Sequence, residues 1–181
     1  MLFQGGLGCL SSGVYSWSCL RHSLYRPGGT VDLQVGERFS NVDFAFAGAI
    51  AGAEPLPALF LSYDLACMWK PRWKERMKAR FPHLVPLWEC IVFVVPKMHE
   101  YVHREKCRFL FSLSWKLGAA GVDGEGVERT WAEHNQLGGS TKEMNPGHHR
   151  DCLETHFLDW NWKKQRDMGE IVCFPAVIAL G

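Results

Sequence analysis

The sequence predicts a mixed α/β fold in which a sheet is covered by helices, and three observations carry that prediction. Residues 14–35 read as two strands around a turn. "ALFLSYD" (58–64) and "CIVFVVP" (90–96) are short, largely apolar runs of the kind that buried strands show. Between and after them, apolar residues recur at helical steps. The resulting order of hairpin, helix, strand, helix, strand, helices is that of a mixed sheet flanked by helices.

In the hairpin, "VYSWSC" (14–19) and the alternating "TVDLQV" (30–35) supply the strands, and "RPGG" (26–29) supplies the turn. Ser40 or Asn41 then caps a helix through "VDFAFAGAIAG", which Pro55 and Pro57 end. The strand at 58–64 delivers Asp64 at its C-terminal end. "WKPRWKERMKARF" (69–81) places Trp69, Trp73, Met77 and Phe81 four apart, a helical spacing. The strand at 90–96 is closed by Pro96, and "KMHEYVHREKCRFLF" (97–111) reads as a helix. "GVDGEGVERTWAEHN" (121–135) reads as another, and "GGSTKEM" as a loop. Asn145 as cap and Pro146 at the first helical position start a last helix, with Leu153, Phe157 and Trp160 on one face.

At 181 residues, 47% hydrophobic and with eight Trp, the chain fits one domain with a packed core, not a disordered polymer. A net charge of +1 names no partner, so any basic surface has to be local. Seven Cys without a CxxC pair fit reduced thiols in an intracellular compartment. No apolar run is long enough to span a bilayer, since "FAFAGAIAGAEPLPALFL" is interrupted by Glu54, Pro55 and Pro57, so no membrane partner is expected. The N-terminus lacks the basic start and compact apolar block of a secretory signal.

Four groups of residues carry chemistry. Asp64, an acid at the end of a buried strand, sits where α/β folds place ligands; it also reads as an ordinary loop or cap residue. In 121–135, Asp123 can cap a helix, and Glu125 can pair with Arg129 for about 0.3–0.5 kcal/mol. Glu125 and Glu128 share a face. Gly124 and Gly126 flank Glu125, although each costs about 1 kcal/mol relative to Ala in a helix. Such glycines let a ligand or another backbone come close. Carboxylates from a strand end and a helix suit Mg²⁺, which takes oxygen ligands. Lys70, Arg72, Lys74, Arg76, Lys78 and Arg80 form a basic stretch that reads either as a phosphate-backbone contact or as a solvated face. Finally, Cys19 and His22, with His99 and His103 and then Cys107 at steps of four, offer two pairs for a zinc site; the alternative is simple packing.

Together, "CLRHSLYRPGGTVDLQVGERFSNVDF", "SYDLACMW", "VPKMHEYVH", "DGEGVERTWAEHN", "STKEMNPGHHRD" and "HFLDWNWKK" resemble the Kyakuja-Dileera-Zisupton (KDZ) transposases, from about Cys19 to Lys164. The resemblance implies a ribonuclease H-like mixed sheet flanked by helices. It further implies DNA as partner, a nuclear location, and DNA cutting and joining by three acids with two Mg²⁺ or Mn²⁺ ions. Asp64, in "YDLAC", matches the family's second acid. Glu125, in "DGEGVER", matches its glutamate, with Glu128 as the alternative. The family pattern also has histidines at His99 and His103.

The departure is upstream. The first acid of such a core comes from a first strand before the hairpin, and "MLFQGGLGCLSSG" contains no Asp or Glu. The expectation is therefore a fold lacking its first strand: an unmatched segment at 1–18, a partial transposase-like domain at 19–166, and a truncated apolar tail at 167–181. Function is expected to be that of a partial or degenerate transposase, its enzymatic status open because the first catalytic acid is missing. The alternative is a non-catalytic nucleic-acid-binding or interaction module, zinc-stabilised. Exposed sheet edges would favour self-association or a partner that supplies the missing strand.

Overall fold

Alternation, turn chemistry and helical spacing give a mixed α/β molecule in the computed structural model, which describes residues 11–34, 36–52, 57–119 and 121–173. Strand β1 (Gly13–Ser18) pairs antiparallel with β2 (Tyr25–Leu33), with an irregularity between Ser16 and Ser18. Strand β3 (Leu59–Ser62) pairs in parallel with β4 (Ile91–Val94). The expected single sheet is thus two separate two-stranded sheets, and among the described residues no strand joins them.

The hairpin turn is not at "RPGG". The chain reverses over 19–24, where Ser23 has φ 57°, and residues 26–29 belong to β2. The glycines answer to a different constraint. Helix α1 (Phe39–Ile50) crosses β2 so closely that a Cβ on Gly48 would lie 1.9 Å from the Gly28 carbonyl oxygen. Gly28 itself has φ +69°. These glycines allow helix and strand to meet backbone to backbone. α1 has no side-chain cap from Ser40 or Asn41; its N-cap residue is Arg38. It ends at Ile50, ahead of Pro57, and Pro55 lies outside the described residues.

After β3 comes α2 (Ala66–Trp69), a 3-10 turn at Lys70–Arg72 containing Pro71, and α3 (Trp73–Arg80). The proline divides what the spacing suggested was one helix, because it cannot donate to the preceding turn. Trp69, Trp73 and Met77 are fully buried nonetheless. They pack with Phe46, Trp17, Tyr63 and Phe93 into one aromatic core shared by both sheets.

Residues 97–111 also divide, into a 3-10 turn (Lys97–Val102) and α4 (Glu105–Phe111), with His103 and Arg104 extended between them. Then follow α5 (Gly126–His134), α6 (Leu137–Thr141), which lies where a loop was expected, and α7 (Pro146–Cys173). In α6, Leu137 and Thr141 are buried, and the Thr141 hydroxyl donates to the Leu137 carbonyl; tertiary contact overrides a glycine-rich local preference.

Asn145 and Pro146 start α7 as the sequence indicates, with Asn145 Oδ1 accepting from the His148 N–H at 3.0 Å. Its apolar face docks on the hairpin. Phe157 stacks on Tyr25 at 3.9 Å between ring centroids. The Asn161 amide both accepts from and donates to the Tyr25 backbone, imitating a neighbouring strand. Residues 1–10 and the apolar tail beyond Cys173 lie outside the described residues.

One buried polar group joins the two halves. Asp43 on α1, fully buried, accepts from Trp69 Nε1 (2.7 Å) and from Arg76 Nε (2.6 Å). Replacing Asp43 with Ala strands an indole N–H and a largely buried guanidinium, and we expect a loss of about 3–5 kcal/mol in urea unfolding. Asp43→Asn, which keeps one acceptor, should lose less.

Candidate functional site

The carboxyl ends of parallel strands leave a crevice that the chain does not cover. Here β3 and β4 end side by side, and a pocket of about 110 Å³ opens there. Its walls include Ser62, Asp64, Pro96 and His99 from the strand ends, Gly124 and Glu128 from the start of α5, and Glu37 from the loop after β2. Asp64 is half-buried and its Oδ1 accepts from the Leu65 N–H at 2.8 Å.

The start of α5 is set by tight contacts. Gly124 has φ +82°, and a Cβ there would lie 3.0 Å from Leu113 Cδ2 and 3.2 Å from Pro96 Cα. A Cβ on Gly126 would lie 2.5 Å from Ser23 Oγ. The two glycines therefore serve the approach of the chain itself. Asp123 accepts from the Glu125 N–H at 2.9 Å and pairs with Arg129 at 3.1 Å, so Arg129 holds Asp123 where a pair with Glu125 was expected. The hydrogen bond from Arg129, then that from the Glu125 N–H, holds the Asp123 carboxyl below its ordinary range.

Glu125 is the N-cap residue of α5 and only 6% exposed. Its Oε1 accepts from the Met98 N–H at 2.8 Å, while its buried Oε2 has no hydrogen-bond partner. His99 stands between the two glutamates: Nδ1 is 4.0 Å from Glu125 Oε2, and Nε2 is 3.9 Å from Glu128 Oε1. Glu128, about half exposed, faces the pocket that Asp64 lines.

Sequence reasoning missed Glu37. Its Oε1 accepts from the Tyr63 hydroxyl at 2.6 Å, beside Asp64. Partial burial raises the Glu37 carboxyl, Tyr63 opposes that shift, and the Asp64 charge adds to it. The signal was non-local: the packing of the hairpin against the end of β3, Tyr15 against Tyr63, brings Glu37 there.

The basic stretch is divided in the same way. Arg76 turns inward to Asp43 and leaves the basic face. Lys70 lies over the rings of Phe111, Phe93 and Trp88, and Lys74 over Trp88 at 4.7 Å. Arg72, Lys78 and Arg80 remain exposed.

The four expected zinc ligands do not meet. Cys19 Sγ is 3.4 Å from His22 Nδ1 at the surface, and His99 belongs to the glutamates. Because the backbone is extended at His103, that side chain departs from His99 and meets Cys67 and Cys107 instead.

The model of the Kyakuja-Dileera-Zisupton transposase family matches residues 5–161, and the chain belongs to that family. No curated protein and no solved structure matches it. Membership implies a metal cofactor and suggests DNA binding. The pocket offers the oxygen donors that Mg²⁺ prefers, and the orphaned Glu125 Oε2 is suited to a cation. Among the described residues, however, no three carboxylates converge within 4.8 Å, so the donors present do not complete a cage. No helix among the described residues is long and apolar enough to cross a membrane.

Glu125→Gln keeps the acceptor for Met98 and places an amide donor where Oε2 is unpaired. We expect its thermal unfolding midpoint to equal or exceed the parent's. Glu125→Ala, which orphans the Met98 N–H, should lose about 1–3 kcal/mol.

Proposed function

We propose that this chain is the remnant of a ribonuclease H-like transposase core that binds DNA and, as this 181-residue chain, does not cut it. The observation that carries the reading is the slot between the two sheets. A cavity of about 590 Å³ runs between Trp17 and Ser18 of β1 and Leu59 to Ser62 of β3, floored by Phe46 and Ala49 of α1. A ribonuclease H-like sheet has its first strand, with the first acid, in that place. Of the three acids that such a core uses, this reading assigns two, Asp64 and one of Glu125 and Glu128. Of the two glutamates, Glu128 shares the pocket with Asp64, while Glu125 is the buried one.

In a core with all three acids, Mg²⁺ or Mn²⁺ would supply the activated nucleophile and the stabilised leaving oxygen. Here Asp64 and the glutamates supply negative charge at the strand ends, and Arg72, Lys78 and Arg80 supply the phosphate contact. A nuclear location follows from this reading. Among the described residues β1 and β3 each pair on one side only, which supports pairing with a strand supplied by another chain.

Purified chain incubated with DNA and Mg²⁺ or Mn²⁺ should leave the strands intact while retarding the DNA at low salt. In an Arg72/Lys78/Arg80→Ala variant, the slope of log affinity against log salt should flatten by about 0.9 for each phosphate no longer neutralised. Cleavage that disappears with Asp64→Ala would overturn the non-cleaving part. Absence of DNA retention at low salt would overturn the binding part.

A further inference from the structure

Outside the acidic pocket, one cluster of donors has a different chemistry. Cys67 from α2, His103 from the extended link and Cys107 from the first turn of α4 each point one ligand atom into a common space. All three atoms lie within 4.8 Å of one another, and all three residues are partly buried. Cys67 Sγ is 3.5 Å from His103 Nδ1.

That spacing is informative. In a tetrahedral zinc site with Zn–S near 2.3 Å and Zn–N near 2.0–2.1 Å, a sulfur and a nitrogen ligand stand about 3.5 Å apart. Two thiols and an imidazole are also the donor set that selects zinc over Mg²⁺ or Ca²⁺, which want oxygen. We propose that Cys67, His103 and Cys107 bind one zinc ion, with the fourth position taken by water. Binding exchanges hydrating water for three protein ligands. Both thiols become thiolates, and two protons pass to the buffer.

The site's place in the fold gives it a consequence. Cys67 follows Asp64 by three residues, and His103 follows His99 by four. The ion would tie the element that carries Asp64 away from β3 to the segment that carries His99 away from β4. It fixes the separation of the pocket's two walls without entering the pocket, so it acts as a positioning device. This inference does not rest on the DNA-binding reading.

The reduced 181-residue chain should carry about one equivalent of zinc by elemental analysis. Apo protein titrated with Co²⁺ alone should develop a thiolate-to-cobalt charge-transfer band and tetrahedral visible bands. Cys107→Ser and His103→Ala should each weaken Co²⁺ binding by more than about 100-fold, beyond the 10–100-fold that outer-shell changes cost. Cys19→Ser and His22→Ala should leave the band unchanged, and circular dichroism identifies any variant that fails to fold. Because the Co²⁺ titration of the unsubstituted chain needs no variant, it tests the proposal by itself. Absence of a charge-transfer band in the fully reduced chain overturns it. So does a Cys67–Cys107 disulfide found by mass spectrometry in protein purified without reductant and retaining no zinc. A band that follows Cys19 and His22 instead overturns the ligand assignment.

Discussion

The carboxylate of Asp43 is the constraint on which the rest of the molecule depends. Among the described residues the two sheets exchange no strand, so the backbone ladder that normally holds an α/β core together is interrupted there between β1 and β3. What spans the interruption is side-chain chemistry. Asp43 on α1, the helix that covers β2, binds Trp69 at the end of α2 and Arg76 on α3, the helices that follow β3. Arg76 then donates to the Trp69 carbonyl at 2.9 Å, closing the triangle. Such a buried pair adds little net stability, because desolvation consumes most of its Coulombic gain. Its effect here is geometric: it favours the arrangement of the two halves in which neither Asp43 nor Arg76 is left unpaired. The aromatic core follows that arrangement, with Trp17 of β1 against Trp69 and Tyr15 against Tyr63.

The pocket inherits its shape from the same tie. With α2 held against α1, the turn containing Asp64 must leave β3 toward Glu37, and Tyr63 can bond that carboxylate. The opposite wall is fixed by close packing. Gly124 fits between Leu113, Pro96 and Ser62 only because it has no Cβ, and Gly126 fits against Ser23 for the same reason. The glycines that made Glu125 stand out in the sequence thus press Glu125 into the protein, and Glu128, one turn further, faces the opening. Local physics expected Asp123 as the cap and Glu125 as the partner of Arg129; in the structure Glu125 is the N-cap residue and Asp123 is the partner. Arg129 reaches Asp123 because Glu125, at the N-cap, is turned inward to Met98.

What was legible in the sequence was whatever local chemistry decides. The apolar runs at 58–64 and 90–96 are strands β3 and β4, the Asn145–Pro146 start of α7 is a capped helix, and Trp69, Trp73 and Met77 are core. What was not legible depended on residues distant in the chain. "RPGG" has turn composition, but Gly28 meets Gly48, twenty positions away, and the pair makes a strand–helix contact. The steps of four from His99 to Cys107 imitate a helical face, yet the extended backbone at His103 and Arg104 sends the histidines to opposite duties. Arg76 belongs to a basic run by position and to the core by contact, and Glu37 had no local sign at all. The ordered KDZ motifs carried the family, which a match over residues 5–161 bears out.

The two candidate metal environments differ in a way that removes any competition between them. The pocket at the strand ends offers carboxylates and one imidazole already engaged with them, a hard set with too few convergent oxygens to hold Mg²⁺ by protein alone. The cluster behind it offers two sulfurs and an imidazole, a soft set with no carboxylate among its three ligands. A cation that suits one is poorly served by the other. The short α2 segment lies between them, with Asp64 just before it and Cys67 within it, so each environment bears on the position of the other. The two sets share no residue, so loss of an oxygen ligand from the pocket removes no donor from the sulfur cluster.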